Sequence, residues 1–315
     1  MKIYQPSTSV IIPTLNRPGA LRELLISLLK QSTLPNEIII VDQSKNLDSK
    51  QMTKLLLIKY NNIDLKYISD STITGIAQAR NRGINLVSND IILFLDDDAI
   101  LENDFLENIM QIYLKYPTVS GVGGVITNYK GSFKYDLFKK IFFKGFFYDE
   151  REHIYCNLDS YRNLDFISTK KLGGGLMSFK KEVFNNFLFD ERYIYYSFGE
   201  DLDFSYRVSK KYEIGISPKA RISHVSLSQR NEKKLKEREF CSWNFLFKIN
   251  LEKNFYNYLC YTWLLLGIFI QATWRYLFKR KKDALRGLIS GYKISSNDFK
   301  GCDFITLKNA SSNNL

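Results

Sequence analysis

Three carboxylates in a row, Asp96, Asp97 and Asp98, follow the apolar run Ile92 to Leu95. Such a run reads as a buried strand, so its end sets several negative charges at the lip of a sheet. Unpaired, they would repel one another and resist desolvation. A divalent cation relieves both problems, and hard oxygen ligands suit Mg²⁺ or Mn²⁺. In enzymes such ions commonly grip phosphate oxygens. A charged turn after a strand is the plain alternative. A second acidic group, Gly199-Glu200-Asp201-Leu202-Asp203, stands at the expected start of a helix. A carboxylate there can simply cap the helix. The glycines upstream, Gly173, Gly174 and Gly175, favour another role. Backbone without side chains lets a ligand approach closely, and Asp201 facing that ligand would act as a general base.

The elements that must position these groups follow from periodicity. Ser9 to Ile12, Glu37 to Val41, Leu65 to Ser69 and Ile91 to Leu95 are strand-like. Leu21, Leu24, Leu25, Leu28 and Leu29 recur at helical spacing, as do Phe105, Ile109, Ile112, Tyr113 and Tyr116. Gly75 to Ser88 reads as a further helix. Alternation of this kind predicts an α/β fold, a mostly parallel sheet with helices on both faces. Ligands of such sheets sit at the carboxyl ends of the strands. Thr14, Asn16 and Arg17, then Asp42, then Ser69 to Ser71, then Asp96 to Asp98 all fall at those ends. Further on, Leu172 to Phe179 is a glycine turn entering a strand, Phe198 to Lys211 a loop entering a helix, and Ile214 to Ile216 and Arg221 to Val225 two short strands.

With 315 residues, 45% of them hydrophobic, the chain can bury a large core. The net charge of +12 points to an anionic partner without choosing among nucleic acid, membrane and phosphorylated substrate. The four cysteines form no close pairs, which argues against a zinc knuckle or a disulfide framework and for a reducing compartment. Two histidines, His153 and His224, cannot build a poly-histidine metal site. MKIYQPSTSV lacks the apolar stretch of a secretory leader, so residence on the cytosolic side is expected.

Two segments depart from this pattern. Residues 131–170 interleave aromatics with lysines and read as an insertion or lid that packs on a surface. Asn254 to Trp274 is a stretch of 21 residues without a formal charge, followed by Arg275 and the basic run Lys279 to Lys282. Its length approaches the roughly 20 residues of a span. However, a cytosolic basic end would place the preceding domain outside, away from phosphorylated substrates. A helix lying in the membrane interface, or a shallow hairpin, its basic end on anionic lipid, fits better. A helix packed on the catalytic domain is the alternative. The expected organisation is a domain over 1–230 and a C-terminal helical, membrane-associated region over 231–315.

SVIIPTLNR, VDQS, TGIAQARNRGI, ILFLDDDA, LGGGLMSF and GEDLDF occur in the order found in family 2 glycosyltransferases with the GT-A fold. Over residues 7 to 225 the chain resembles that family, and its nearest likeness is to the bacterial, rhamnosyltransferase-like branch that builds surface polysaccharides. The resemblance implies that Pro13, Thr14, Asn16 and Arg17 line a nucleotide pocket. It implies that Asp42 accepts a ring N–H of the base, favouring uracil or thymine, and that Arg80 approaches the base or diphosphate. Asp96 would reach the ribose, with Asp97 beside it, and Asp98 would bind the metal. Asp96 and His224 would complete the metal site, although His224 can equally be a satisfied core histidine. Gly173 to Gly175 would border sugar and acceptor, and Asp201 would be the base with Glu200 beside it. Mn²⁺ or Mg²⁺ is the implied cofactor. The implied partners are a nucleotide-sugar donor, a glycan or lipid-linked acceptor and the inner membrane face, with room for a homo-oligomer and no role for nucleic acid.

Rival readings fit less well. A nucleotidylyltransferase needs a glycine- and arginine-rich loop where this chain has PTLNRPG. A dehydrogenase needs GxGxxG after the first strand, and it is absent. A non-catalytic basic protein binding membrane or nucleic acid would leave both acidic clusters unexplained. The QxxRW signature of processive synthases is also absent, which favours transfer of one or a few sugars.

Overall fold

The computed structural model describes residues 6–129, 133–161, 163–193, 199–225, 232–249, 251–279 and 282–296. In chain order the elements begin β1 (Thr8–Thr14), α1 (Pro18–Leu28), β2 (Glu37–Asp42), α2 (Asp48–Leu57), β3 (Asp64–Ser69) and α3 (Ile76–Ile84). Next come β4 (Ile91–Leu95), β5 (Ala99–Leu101), α4 (Phe105–Lys115), β6 (Val119–Ile126), α5 (Phe133–Phe142), α6 (Glu150–Cys156) and α7 (Leu158–Tyr161). The chain continues with β7 (Ile167–Ser168), β8 (Leu176–Lys180), α8 (Glu200–Ser209) and β9 (Glu213–His224), then α9 (Glu232–Ile249), α10 (Phe255–Lys279) and α11 (Lys282–Ser296). They divide into two compact units, one of residues 1–130, 150–193 and 200–227, the other of 131–149, 194–199 and 228–315.

The first unit is an α/β fold around one sheet, ordered β3-β2-β1-β4-β8-β6-β9-β5, with β7 on β9. The expected strands β1 to β4 are parallel. Beyond them the sheet is mixed, because β8 runs antiparallel to both β4 and β6. The chain leaves β1 toward β2 and β3, then returns to pair β4 on the other side of β1. That reversal is a topological switch point, where the strand ends open a crevice. The core beneath one face joins Val10, Ile12, Ile38 and Ile40 to the buried side of α1, Leu21, Leu24, Leu25 and Leu28. The other face carries an aromatic cluster in which Phe189 stacks on Phe204 at 4.1 Å and meets Phe94 edge-on at 5.3 Å.

Several boundaries differ from expectation. The helix expected to reach Ser88 ends at Ile84, where Leu86 N–H turns back to the Gly83 carbonyl. The two short strands over 214–225 are one strand, β9. Pro218 has no N–H to give a ladder, and pairing with β6 shifts register around it, from Gly123↔Ile216 to Val125↔Arg221.

In the second unit, aromatic side chains of residues 131–149 pack on the C-terminal helices. Phe147 and Phe143 meet Trp243 edge-on, at 5.7 and 6.2 Å. Phe142 stacks on Trp263 at 5.3 Å, and Trp263 Nε1 donates to the Ile141 carbonyl at 2.8 Å. The segment expected as a lid over 131–170 is thus divided: 131–149 belongs with α9 to α11 and 150–170 with the sheet. Among the described residues no helix is long and apolar enough to cross a membrane.

Candidate active site

The switch point brings the ends of β1 and β4 together. Thr14 Oγ1 donates to Asp97 Oδ2 at 2.7 Å, and Arg17 Nη1 lies 3.1 Å from Asp97 Oδ1 and 3.6 Å from Asp98 Oδ2. Burial pushes the Asp97 carboxyl up to about 6, against the opposing pull of Thr14 and Arg17. Asn16 turns the chain here with φ 54°, a left-handed conformation that Asn tolerates, and its N–H donates to Ser44 Oγ at 2.7 Å. Pro13 is a buried strand residue paired with Val41. Asp42 is fully buried, accepting the Tyr67 hydroxyl at 2.5 Å on Oδ2 and the Ser44 N–H at 2.9 Å on Oδ1. A base reaching Asp42 would have to share it with Tyr67.

Antiparallel pairing supplies the other wall. Leu176 of β8 pairs with Leu95 of β4, so the glycine turn before β8 lies beside the acids after β4. A Cβ on Gly175 would fall 2.4 Å from Asp96 Cγ, and one on Gly174 would fall 2.6 Å from Arg80 Nη2. Only glycine permits both approaches. Gly173 lies near the Tyr155 hydroxyl and the Arg151 guanidinium.

Arg80, expected at the base or diphosphate, lies buried between the two acidic clusters. Its side chain is 1% exposed, with Nη2 3.1 Å from Asp96 Oδ1 and Nη1 3.0 Å from Glu200 Oε1. Its planar cation covers the Phe189 ring at 5.3 Å. Arg80 therefore braces the two acidic clusters against each other. Burial raises the Asp96 carboxyl despite Arg80. Burial, followed by the neighbouring Asp201 charge, pushes Glu200 up to about 7.

Of the expected metal set of Asp96, Asp98 and His224, the structure brings the last two into contact. His224 Nδ1 and Asp98 Oδ1 lie 3.0 Å apart, because β5 and β9 pair Ala99 with His224. Asp96 pairs with Arg80, and among the described residues no group of three acidic, His or Cys side chains is gathered as a metal site. Burial works against the Asp98 carboxylate, but the His224 hydrogen bond and the Arg17 charge hold it below the ordinary range. An ionised carboxylate beside an imidazole suits Mg²⁺ or Mn²⁺, ions that take one or two protein ligands and fill the rest with water and phosphate oxygens.

Asp201, in the first turn of α8, accepts the Gly174 N–H on Oδ2 at 2.9 Å and the Leu202 N–H on Oδ1 at 2.9 Å. Arg151 Nη1 also reaches Oδ2, at 3.3 Å. The preceding residue, Glu150, is tied to the sheet unit by accepting the Lys170 N–H at 2.7 Å and the Thr169 hydroxyl. Arg151, Tyr67 and Ser44 had drawn no attention in the sequence. Arg151 lies in a run without periodicity, and only the fold brings it to Asp201. Asp203, the third acid of its cluster, turns away to pair with Arg207 at 2.9 Å.

An α/β sheet with two acidic clusters facing each other across a glycine turn defines a class built to handle charged ligands at its strand ends. Residues 9–187, more than half of the chain, match the family described as Glycosyl transferase family 2, and the protein belongs to it. Glycosyltransferase GlyA of Streptococcus pneumoniae is 25% identical over 160 residues, covering 50% of this chain and 21% of GlyA. The GalNAc(5)-diNAcBac-PP-undecaprenol beta-1,3-glucosyltransferase of Campylobacter jejuni is 27% identical over 189 residues, 60% of this chain and 56% of that protein. The chain thus spans less than two thirds of these curated relatives. The mannosyltransferase PcManGT of Pyrobaculum calidifontis, solved with GDP-Man and Mn²⁺, shares the fold with a TM-score of 0.62 at 16% identity, over 94% of this chain and 88% of its own.

Proposed function

We propose that the protein is an inverting, metal-dependent glycosyltransferase of the rhamnosyltransferase-like branch. It moves a sugar from a UDP- or dTDP-sugar to a hydroxyl of a glycan or lipid-linked acceptor in cell-surface polysaccharide synthesis. It would work on the cytosolic side, peripheral to the inner membrane face. One observation carries the reading: the Asp201 carboxylate is pinned to the glycine turn at Gly174, whose neighbour Gly175 touches the Asp96 cluster. A base and a set of diphosphate-binding groups thus flank one short stretch of bare backbone. The relative acting on an undecaprenol-linked glycan supports an acceptor of that kind.

Asp98 and His224 would hold the divalent ion, which when bound supplies Lewis acidity to the leaving diphosphate. Arg17, 41% exposed beside Asp97 and Asp98, is placed to meet the same diphosphate. An acceptor hydroxyl is a poor nucleophile at neutral pH. Asp201 takes its proton while the oxygen bonds to the anomeric carbon and the bond to the diphosphate oxygen breaks. Glu200 does not compete as a nucleophile, because it is buried, paired with Arg80 and drawn toward its protonated form. A single displacement follows, and the anomeric centre inverts.

The test compares wild type with Asp201→Asn in transfer from UDP- and dTDP-sugars. Turnover should fall about 10²- to 10⁴-fold while nucleotide affinity holds. Unchanged turnover would remove Asp201 as the base.

A further inference from the structure

The second unit carries a surface that the chemistry above does not use. Along α10, Phe255, Leu259, Leu266, Ile270, Trp274 and Leu277 are all exposed. At about 100° per residue these positions fall on one stripe of the helix. Cys260, Leu264, Ile268 and Ala272 form the opposite, buried stripe. Unlike an ordinary surface helix, this one is apolar on both sides, outward as well as toward the protein. The exposure is extensive, reaching 83% at Phe255, 61% at Leu277 and 72% at Phe278. Leu137 and Ile141 of α5, which packs beside α10 through the Phe142–Trp263 stack, are exposed as well. A contiguous apolar surface of this extent marks an interaction site.

Charge around the patch chooses the partner. No Asp or Glu occurs from Asn254 through Lys282, while Arg275, Lys279, Arg280, Lys281 and Lys282 lie in its C-terminal part. Between Leu137 and Tyr148 the charged residues are Lys139, Lys140 and Lys144. The nearest acid past α10, Asp283, faces Arg286 at 3.9 Å. Trp and Tyr, the residues that favour the lipid headgroup level, recur along the exposed side at Tyr256, Tyr258, Trp263, Trp274 and Tyr276. The helix is not apolar enough to span a bilayer.

We propose that α10, with α5 beside it, is an interfacial anchor that lays its outward apolar stripe into the headgroup region of an anionic phospholipid bilayer. The neighbouring lysines and arginines would meet the lipid phosphates. Apolar burial and the attraction of the basic residues to lipid phosphates both contribute, and neither alone holds the chain on the bilayer.

The test floats the full chain with vesicles of phosphatidylcholine alone and of phosphatidylcholine mixed with phosphatidylglycerol. No nucleotide is present, so failure here leaves the transferase reading standing. The chain should float with the anionic vesicles and be released by salt. The variant Leu266→Ser/Ile270→Ser/Leu277→Ser, with an unchanged circular dichroism spectrum, should bind them at least about tenfold more weakly. Should that variant unfold, salt and lipid charge still decide the matter with the wild-type chain. Flotation indifferent to lipid charge, or to the substitutions in a folded variant, overturns the proposal. So does a dimer in sedimentation that fails to float, since a second copy would then be what covers the stripe.

Discussion

Arg151 and Asp201 form an ion pair, Nη1 to Oδ2 at 3.3 Å, on the same oxygen that accepts the Gly174 N–H. Asp201, the proposed base, therefore has one oxygen held by a cation and a backbone donor, which orients it toward the glycine turn. Removing the cation frees the carboxylate to rotate. Arg151→Met should lower kcat about 10- to 100-fold, the cost of a misplaced catalytic group, with nucleotide affinity unchanged. Arg151→Lys should recover part of the loss. Steady-state kinetics with both variants checks this, and a wild-type kcat in Arg151→Met would contradict it.

Asp98 and His224 should act as a pair toward the divalent ion. In Asp98→Ala, nucleotide affinity should become the same with Mn²⁺ as with EDTA. In His224→Ala the Mn²⁺ effect should shrink but persist, because the carboxylate, the hard oxygen ligand such an ion favours, remains. Titration calorimetry separates the cases. A full Mn²⁺ effect in Asp98→Ala would exclude its role.

Gly174 offers a steric test of the brace. A methyl group there would stand 2.6 Å from Arg80 Nη2, and Arg80 is confined between Asp96 and Glu200. Gly174→Ala should destabilise the fold by about 1–3 kcal/mol, as overpacking does, and lower turnover by more than Gly19→Ala, whose Cβ meets nothing within 4 Å. Thermal melts and transfer assays on both variants measure the contrast. Equal behaviour would show that Arg80 can move without cost.

Glu37 links the fold to pH at the opposite end of β2. Burial works against its charge, but Lys66, the Ser9 hydroxyl and the Ser88 N–H outweigh it and lower its pKa. A depressed carboxylate contributes stability that is present above the unfolded pKa, about 4.3, and is lost as pH falls through the folded value. Glu37→Gln should cost about 1–3 kcal/mol at pH 7 and flatten the acid limb of the stability curve. Denaturant unfolding from neutral to acid pH reads both effects. An unchanged acid limb would show that Glu37 does not drive it.

Strands β2 and β4 were legible because each carries an uninterrupted apolar run, and the acids at their ends were legible as a break in that run. Asp201 with Gly174 was expected from types and order alone, and the structure joins them by a hydrogen bond. What escaped the sequence depends on distant pairing. Arg80 lies next to Asn81 in a helix, and nothing local says that it will be buried between Asp96 and Glu200. Asp96 and Asp98 stand two apart in a row, and no local signal says that Arg80 will pair with one and His224 with the other. Strand β6, VSGVGGVI, is broken by glycines that lower strand propensity. They are there because Phe179 and Phe105 pack directly over the backbone at Gly121 and Gly124.

The most direct measurement is calorimetric titration of the purified chain with UDP, dTDP, GDP and CDP, each with Mn²⁺ and with EDTA. The account predicts binding of UDP or dTDP that depends on Mn²⁺ and fails with EDTA. Preference for GDP would overturn the part assigned to Asp42. A folded protein that binds none of the four would contradict the transferase reading itself.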